Sequence, residues 1–308
     1  VKWYAHHKKM EGFLKTRKHL APATRMSYRK ALQRFADYCN HVESYGVEID
    51  YLVEHYVKHL KDTGCSGKTI QLYLTILRIF FRASLNFESK YRYRIQYADK
   101  KAAKIRAAKR WFTDEEIEAC RNYTFPKAQN WIRNQVIVNL LIDTGARCKE
   151  ISRIRLNDIN LDENTVFISD SKTEPRSVFF SDRTKDILSE YIRMRTMTIR
   201  YKLFPATVKD IVLFPSVRAI KALVDIMLID LGLKRGADGR GPHAFRHYVA
   251  TWLHYEGGMS IMDIAFLLGD TPSTIQRFYI HPTAKMLQRR VNQSMWWGKR
   301  QKGVEDEV

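Results

Sequence analysis

A chain of 308 residues, 45% hydrophobic and 12% aromatic, holds enough apolar side chains for two ordinary domains and excludes a disordered polymer. Its longest apolar stretch, VIVNLLI at 136–142, is too short to span a bilayer, no secretory pattern opens the chain, and four scattered cysteines (Cys39, Cys65, Cys120, Cys148) form no CxxC pair. A soluble, cytoplasmic protein with reduced thiols and no metal is expected, and the formal net charge of +20 directs it to a polyanion, nucleic acid before membrane.

The charge is unevenly spread: residues 1–110 carry 24 Lys and Arg against 9 Asp and Glu, the remainder 29 against 24. Between Thr24 and Val42, Tyr28, Leu32, Phe35, Cys39 and Val42 recur at spacings of three and four, one face of a helix. Asp50 is placed to cap a second helix with the stripe Leu52, Val53, Tyr56, Val57 and Leu60, which DTGCSG then breaks. A third starts near Ser66, with Ile70, Leu74, Leu77 and Phe81 inward. Lys68, Arg78 and Arg82 lie on its other faces as candidate DNA contacts. Residues 1–88 are expected to form a helical DNA-binding domain.

SKYRYRIQYADKKAAKIRAAKR (89–110) sets nine Lys or Arg against Asp99 and lacks apolar periodicity. It predicts a basic linker over 89–112, with Lys100, Lys101, Lys104 and Arg106 free to follow a phosphate backbone and release counterions. A second domain, 113–290, opens with Thr113 and Glu116 as a capping box and Phe112 and Ile117 as its hydrophobic staple. An apolar helix over about 129–143 stops at Thr144-Gly145, and the next carries Arg147, Glu150 and Ile151. TVFIS and SVFF predict a hairpin with Lys172 near its turn. Helices dominate from Asp182, and a tail occupies 291–308. Met286, Leu287, Val291, Met295 and Trp296 form an apolar stripe suited either to their own domain or to a neighbouring protomer.

Arg147, Lys172, His243, Arg246 and Tyr279 each have an ordinary explanation alone. Together they suit attack on a phosphodiester. Two guanidinium groups match its nonbridging oxygens and stabilise the pentacoordinate transition state. A phenol of ordinary acidity is ionised in about one part per thousand at pH 7, a cost of about 4 kcal/mol that a cationic pocket and an imidazole can offset. A lysine can protonate the leaving 5′ oxygen. No metal or other cofactor is required.

TGARCKEISRIRLNDINL (144–161), HAFRH (243–247) and LLGDTPSTIQRFYIH (267–281) resemble, in order and spacing, the three boxes of the tyrosine recombinases, the integrase family of site-specific DNA strand-exchange enzymes. The similarity spans most of 113–282, and the preceding helices resemble the family's core-binding domain. It implies a mainly α fold with a small β-hairpin or sheet in the catalytic domain: a helical core-binding domain plus an α+β catalytic domain. It implies that Tyr279 attacks the scissile phosphate, leaving a 3′-phosphotyrosyl link and a free 5′ hydroxyl. Arg147 and Arg246 would hold the phosphate, His243 would shuttle a proton and Lys172 would be the general acid, although the family's Gly-Lys-Gly turn is here Ser-Lys-Thr. Glu150 would brace the site and His247 support it. The implied partner is double-stranded DNA with specific recombination sites, bound as a homotetramer that is monomeric or weakly associating without DNA.

Where the family carries His or Trp in its final box, this chain has Asp270. An ionised carboxylate donates nothing to a phosphate and repels it. Three roles remain open: Asp270 bonds an active-site Arg or His, it caps the Tyr279 helix, or it impairs the site. A type IB-like topoisomerase and a catalytically impaired DNA-binding accessory protein are the alternative functions.

Overall fold

The computed structural model describes residues 7–42, 47–93, 111–126, 130–171, 174–200, 211–236 and 238–294. The chain divides into two compact units, Val1–Ile105 and Arg106–Val308, and the fold is mainly α with one small sheet. Among the described residues, no helix is long and apolar enough to cross a membrane.

The first unit holds α1 (His7–Thr16), α2 (Pro22–His41), α3 (Ile49–Asp62) and α4 (Gly67–Leu85). Pro22 opens α2, where its missing N–H and fixed φ cost nothing. Ser66 caps α4 by accepting the Thr69 N–H at 3.2 Å, and Asn86 closes it in the left-handed region. The apolar faces of α2, α3 and α4 are buried as expected, apart from Tyr28, half-buried against the core, and Val42, exposed at the end of its helix. The helix α1, not expected from the sequence, adds Met10, Phe13 and Leu14 to the core, with Phe13 edge-on to Phe80. Asp50 does not cap α3. Glu48 stands at the cap position. The Asp50 carboxylate instead accepts the Ser89 hydroxyl at 2.5 Å and the Lys90 N–H at 3.1 Å, tying down the chain after α4.

The second unit opens at the predicted capping box, with the Thr113 N–H donating to Glu116 at 3.0 Å and the Glu116 N–H to the Thr113 hydroxyl at 3.2 Å. It starts α5 (Asp114–Asn122). Phe112 and Ile117 are buried in one core. The next helix, α6 (Trp131–Thr144), is buried on nearly every side from Val136 to Ile142, as an all-round apolar helix must be. After the short α7 (Cys148–Ile151), β1 (Ile159–Asn160), β2 (Thr165–Ile168) and β3 (Arg176–Phe179) form an antiparallel sheet in that order. The expected hairpin is thus β2–β3, in the register Val166↔Val178 and Ile168↔Arg176. Its alternation buries Val166, Ile168, Val178 and, unusually, Arg176.

Next come α8 (Asp182–Arg200), α9 (Val217–Asp230), α10 (Pro242–Tyr255), α11 (Ile261–Leu268) and α12 (Pro272–Thr274). A single π-helical turn, Ile275–Tyr279, and α13 (Ala284–Ser294) follow. Of the apolar tail stripe, Met286 is buried, whereas Leu287 and Val291 are exposed. Lys100, Lys101, Lys104 and Arg106 of the basic linker, Lys172 of the hairpin, and Met295 and Trp296 of the tail lie outside the described residues.

Candidate active site

The site begins where α6 stops. The Thr144 hydroxyl donates to the Leu140 carbonyl at 2.6 Å and accepts the Ala146 N–H at 3.1 Å. Gly145 turns the chain at φ +60°, and a Cβ there would stand 2.8 Å from the Leu268 side chain and 3.3 Å from Val249. Both the conformation and the close approach require glycine. The turn delivers Arg147 to the head of α7. One helical turn on, buried Glu150 accepts the Arg147 backbone N–H at 2.8 Å and its Nη1 at 3.1 Å.

The same carboxylate takes a two-pronged bond from Arg176, Nη1 to Oε1 at 3.2 Å and Nη2 to Oε2 at 3.0 Å. Ser171 joins it, its hydroxyl 3.0 Å from Arg176 Nη1 and 3.4 Å from Glu150 Oε1. Ser171, after β2, and Arg176, at the start of β3, therefore meet on Glu150. Burial alone would raise the Glu150 pKa, but Arg176, the Arg147 amide and the Arg147 charge outweigh it and hold the carboxyl below its ordinary range.

At the end of α11, three successive carbonyl oxygens are each taken by a different arginine. Arg176 Nε donates to Leu267 at 2.7 Å, Arg246 Nη2 to Leu268 at 2.7 Å, and Arg147 Nη2 to Gly269 at 3.0 Å. A helix C-terminus leaves its last carbonyls unpaired and carries the negative end of the dipole. Here both are answered by guanidinium groups drawn from α7, β3 and α10.

Asp270 follows directly. Its Oδ2 lies 2.7 Å from Arg147 Nη2 and 3.2 Å from Arg246 Nη2. Its Oδ1 accepts the Thr271 N–H at 3.1 Å. Burial opposes ionisation of Asp270, yet the Thr271 amide and the two arginines keep its pKa below the usual carboxylate range. Of the three roles open to Asp270, the structure has the bond to arginines, Arg147 and Arg246. The cap of α12 is Thr271, whose hydroxyl accepts the Thr274 N–H at 3.2 Å. Asp270 does not cap because its oxygens are drawn to the guanidinium groups, and the helix boundary falls one residue later.

Tyr279 ends the π turn, closed by the Ile280 N–H donating to the Ile275 carbonyl at 3.1 Å. The turn sends both Ile275 and Tyr279 inward. The Tyr279 hydroxyl lies 3.2 Å from His243 Nε2, and the Arg246 guanidinium sits 5.2 Å from its ring centroid. His243 and Arg246 are one turn apart on α10, which Pro242 opens. His247, half-buried, packs its ring 4.7 Å from that of Tyr279. Thr251, one turn further along α10, reaches the Tyr279 carbonyl, and His281 stacks on Trp111 with centroids 3.7 Å apart. Burial pushes the His281 imidazole below its ordinary range.

The structure thus brings Arg147, Glu150, His243, Arg246, His247, Asp270 and Tyr279 together. Lys68, Arg78 and Arg82 belong to the other unit. Lys68 is exposed. Arg78 donates to the Tyr91 carbonyl at 2.7 Å and Arg82 to Glu88 at 2.7 Å, so both hold the chain that leaves α4. Sequence reasoning assigned no role to Arg176, Thr251 or Trp111. An arginine at an inward position of an alternating strand was the available sign for the first. No group of His, Cys, Asp and Glu among the described residues could hold a metal ion. Chemically, two arginines converging on one oxygen suit an oxyanion, and a phenol against an imidazole suits proton removal.

Residues 110–286 match the phage integrase family, and residues 8–90 match the N-terminal SAM-like domain of phage integrases. The tyrosine recombinase XerD of Staphylococcus aureus is 24% identical over 298 residues, covering 91% of this chain and 95% of that protein. The tyrosine recombinase XerA of Saccharolobus solfataricus is 33% identical over 171 residues, 54% of this chain and 53% of that one. Among solved structures, the XerH site-specific recombinase bound to palindromic difH substrate aligns with a TM-score of 0.66 at 18% identity, over 94% of this chain and 84% of that one. The Tn1549 transposon integrase in complex with transposon right end DNA aligns with a TM-score of 0.64 at 12% identity, over 93% and 98%.

Proposed function

This chain belongs to the phage integrase family, that of the tyrosine recombinases, and from that premise we propose that it is a site-specific DNA recombinase using Tyr279 as its nucleophile. The carrying observation is the Tyr279 hydroxyl 3.2 Å from His243 Nε2, on the same side chain whose ring lies against Arg246. The phenol oxygen forms a bond to the scissile phosphorus and the bond to the 5′ oxygen breaks. His243 takes the phenol proton, and Lys172 supplies one to the departing 5′ oxygen, which leaves as a hydroxyl. Arg147 and Arg246 bind the nonbridging oxygens and their growing charge. Reversal by a 5′ hydroxyl from a second duplex restores the phosphodiester and frees Tyr279. The link stores the bond energy, so neither metal nor ATP enters the cycle.

Glu150 holds Arg147 in place and His247 supports the Tyr279 ring. Lys68 of the first unit, with Lys100, Lys101, Lys104 and Arg106 of the basic stretch 89–112, supplies the sequence-independent grip on duplex DNA. The working assembly is a homotetramer on two recombination sites, and the cytoplasm is where it acts. Two structural relatives, XerH and the Tn1549 integrase, were captured on DNA, which supports duplex DNA as the partner.

The test uses duplexes nicked beside the cleavage point, so that the small fragment diffuses away and the adduct accumulates. Candidate sites come from DNA selected on the protein. A protein–DNA adduct should form and vanish in Tyr279→Phe. Failure of every selected duplex to yield one would sink the assignment. Exchanged products from two sites then distinguish recombination from relaxation.

A further inference from the structure

We propose, on the reading of Arg147 and Arg246 as a phosphate clamp, that Asp270 is a displaceable internal counter-ion. In the DNA-free protein its carboxylate fills the seat between the two arginines that the phosphate of a phosphodiester takes when DNA binds. Asp270 is then a positioning residue, and its departure is part of binding.

The geometry comes first. One oxygen, Oδ2, is shared by an Nη2 from each arginine, at 2.7 Å from Arg147 and 3.2 Å from Arg246. That is the arrangement two guanidinium groups adopt around one nonbridging phosphate oxygen. A carboxylate and a phosphate repel each other and compete for the same donors, so both cannot hold this pair at once.

The charges explain why the seat needs an anion at all times. The Arg246 side chain is 1% exposed. Its other partners are neutral: the carbonyls of Gly145, at 3.1 Å from Nη1, and Leu268, and the Tyr279 side chain. Glu150 acts on it only through space, its hydrogen bonds going to Arg176 and Arg147. Asp270 is therefore the carboxylate in contact with a buried guanidinium, and a buried charge stripped of its partner is strongly destabilising. Without Asp270 or a phosphate, Arg246 would be left in that state.

The surroundings allow the exchange. The Asp270 side chain is 16% exposed and that of Arg147 22%, whereas Glu150 and Arg176 are closed off. The seat thus faces solvent on the Asp270 side. Apart from the arginines, Asp270 is held through Oδ1 on the adjacent Thr271 N–H. Rotating its own side chain withdraws the carboxylate and leaves the core intact. Arg147, Arg246 and Arg176 meanwhile stay fixed on the Gly269, Leu268 and Leu267 carbonyls. The clamp keeps its shape while its anion changes.

Inorganic phosphate is the probe, titrated by thermal shift at constant ionic strength into the whole chain. Wild type, Asp270→Asn, Asp270→Ala and the double variant Arg147→Gln/Asp270→Ala are compared. Both single variants should bind phosphate at least tenfold more tightly than wild type, and the double variant should lose that gain. Should Asp270→Ala fold only when phosphate is present, that dependence is the expected result in another form, and Asp270→Asn carries the affinity comparison. Equal affinities in wild type and Asp270→Asn would overturn the proposal, as would a gain that survives Arg147→Gln. Adduct formation by Tyr279 is a separate measurement, so the counter-ion role can fail while the nucleophile stands.

Discussion

The hydroxyl of Thr251 lies 3.0 Å from the carbonyl oxygen of Tyr279 and accepts the His281 N–H at 3.1 Å. It also reaches the His247 carbonyl, at 2.9 Å, so one side chain on α10 ties the chain that leaves the candidate nucleophile to that helix. Thr251→Val keeps the shape and removes these bonds. It should cost about 1–3 kcal/mol of stability, as expected when buried backbone groups lose their partner. Adduct formation should fall about 10- to 100-fold through misplacement of the phenol. Thr251→Ser should restore most of both. Urea denaturation and single-turnover trapping read the two effects, and a Thr251→Val enzyme of normal cleavage rate would refute the positioning role.

Gly145 is the second fixed point. Alanine there combines a positive φ with a Cβ contact of 2.8 Å on Leu268. Gly145→Ala should destabilise the protein by about 1–3 kcal/mol. It should also shift Arg147, so cleavage falls further than the lower stability alone implies. A variant of unchanged melting temperature would show that Leu268 yields without cost.

Arg176 and Glu150 form a buried pair, their side chains 1% and 2% exposed. Arg176→Met leaves Glu150 charged with only Arg147 as its cationic partner, and should cost about 3–5 kcal/mol. Arg176→Met combined with Glu150→Gln should recover part of that loss, because the uncompensated charge has gone. Equilibrium unfolding of the two single and one double variants decides the matter, with simple additivity as the contrary result.

Acid should release the same network. Glu150 and Asp270 both have folded-state pKa values below their ordinary ones. Each therefore stabilises the fold fully above its unfolded value of about 4, and that contribution disappears as pH falls through the lower folded value. The melting temperature should drop below about pH 4, and Asp270→Asn should show a shallower drop over the same range. Parallel curves would mean that Asp270 is not linked to folding.

DNA binding should weaken steeply with salt. Neutralising Lys100, Lys101, Lys104 and Arg106 should reduce the slope of log K against log salt by up to about 0.9 for each phosphate that the protein then fails to neutralise. An unchanged slope would remove this segment from the DNA-facing surface.

Much of the fold was legible because its signals are local. The stripes of α2, α3 and α4, the Thr113–Glu116 box, the glycine stop of α6 and the β2–β3 hairpin each depend on residues within a few positions of one another. Asp50 shows where locality misleads. It has a cap's composition, but its partners Ser89 and Lys90 are far along the chain. Arg78 and Arg82 likewise read as candidate DNA contacts, and the structure bonds them to residues beyond the end of α4. The apolar stripe of the ten-residue α1, Met10, Phe13 and Leu14, spans little more than one turn, too short a run to establish a period.

From the sequence alone followed the mainly helical chain with its hairpin, the excess of cations in the first third, and the order and spacing of the residues around Arg147, His243–Arg246 and Tyr279. All three are properties of neighbours in the chain. What Asp270 does was decided only by the tertiary structure, because its partners Arg147 and Arg246 lie 123 and 24 residues away. The three arginines on the Leu267, Leu268 and Gly269 carbonyls come from three different elements. A buried charge finds its partner in space, and no periodicity along the chain records which one it will be.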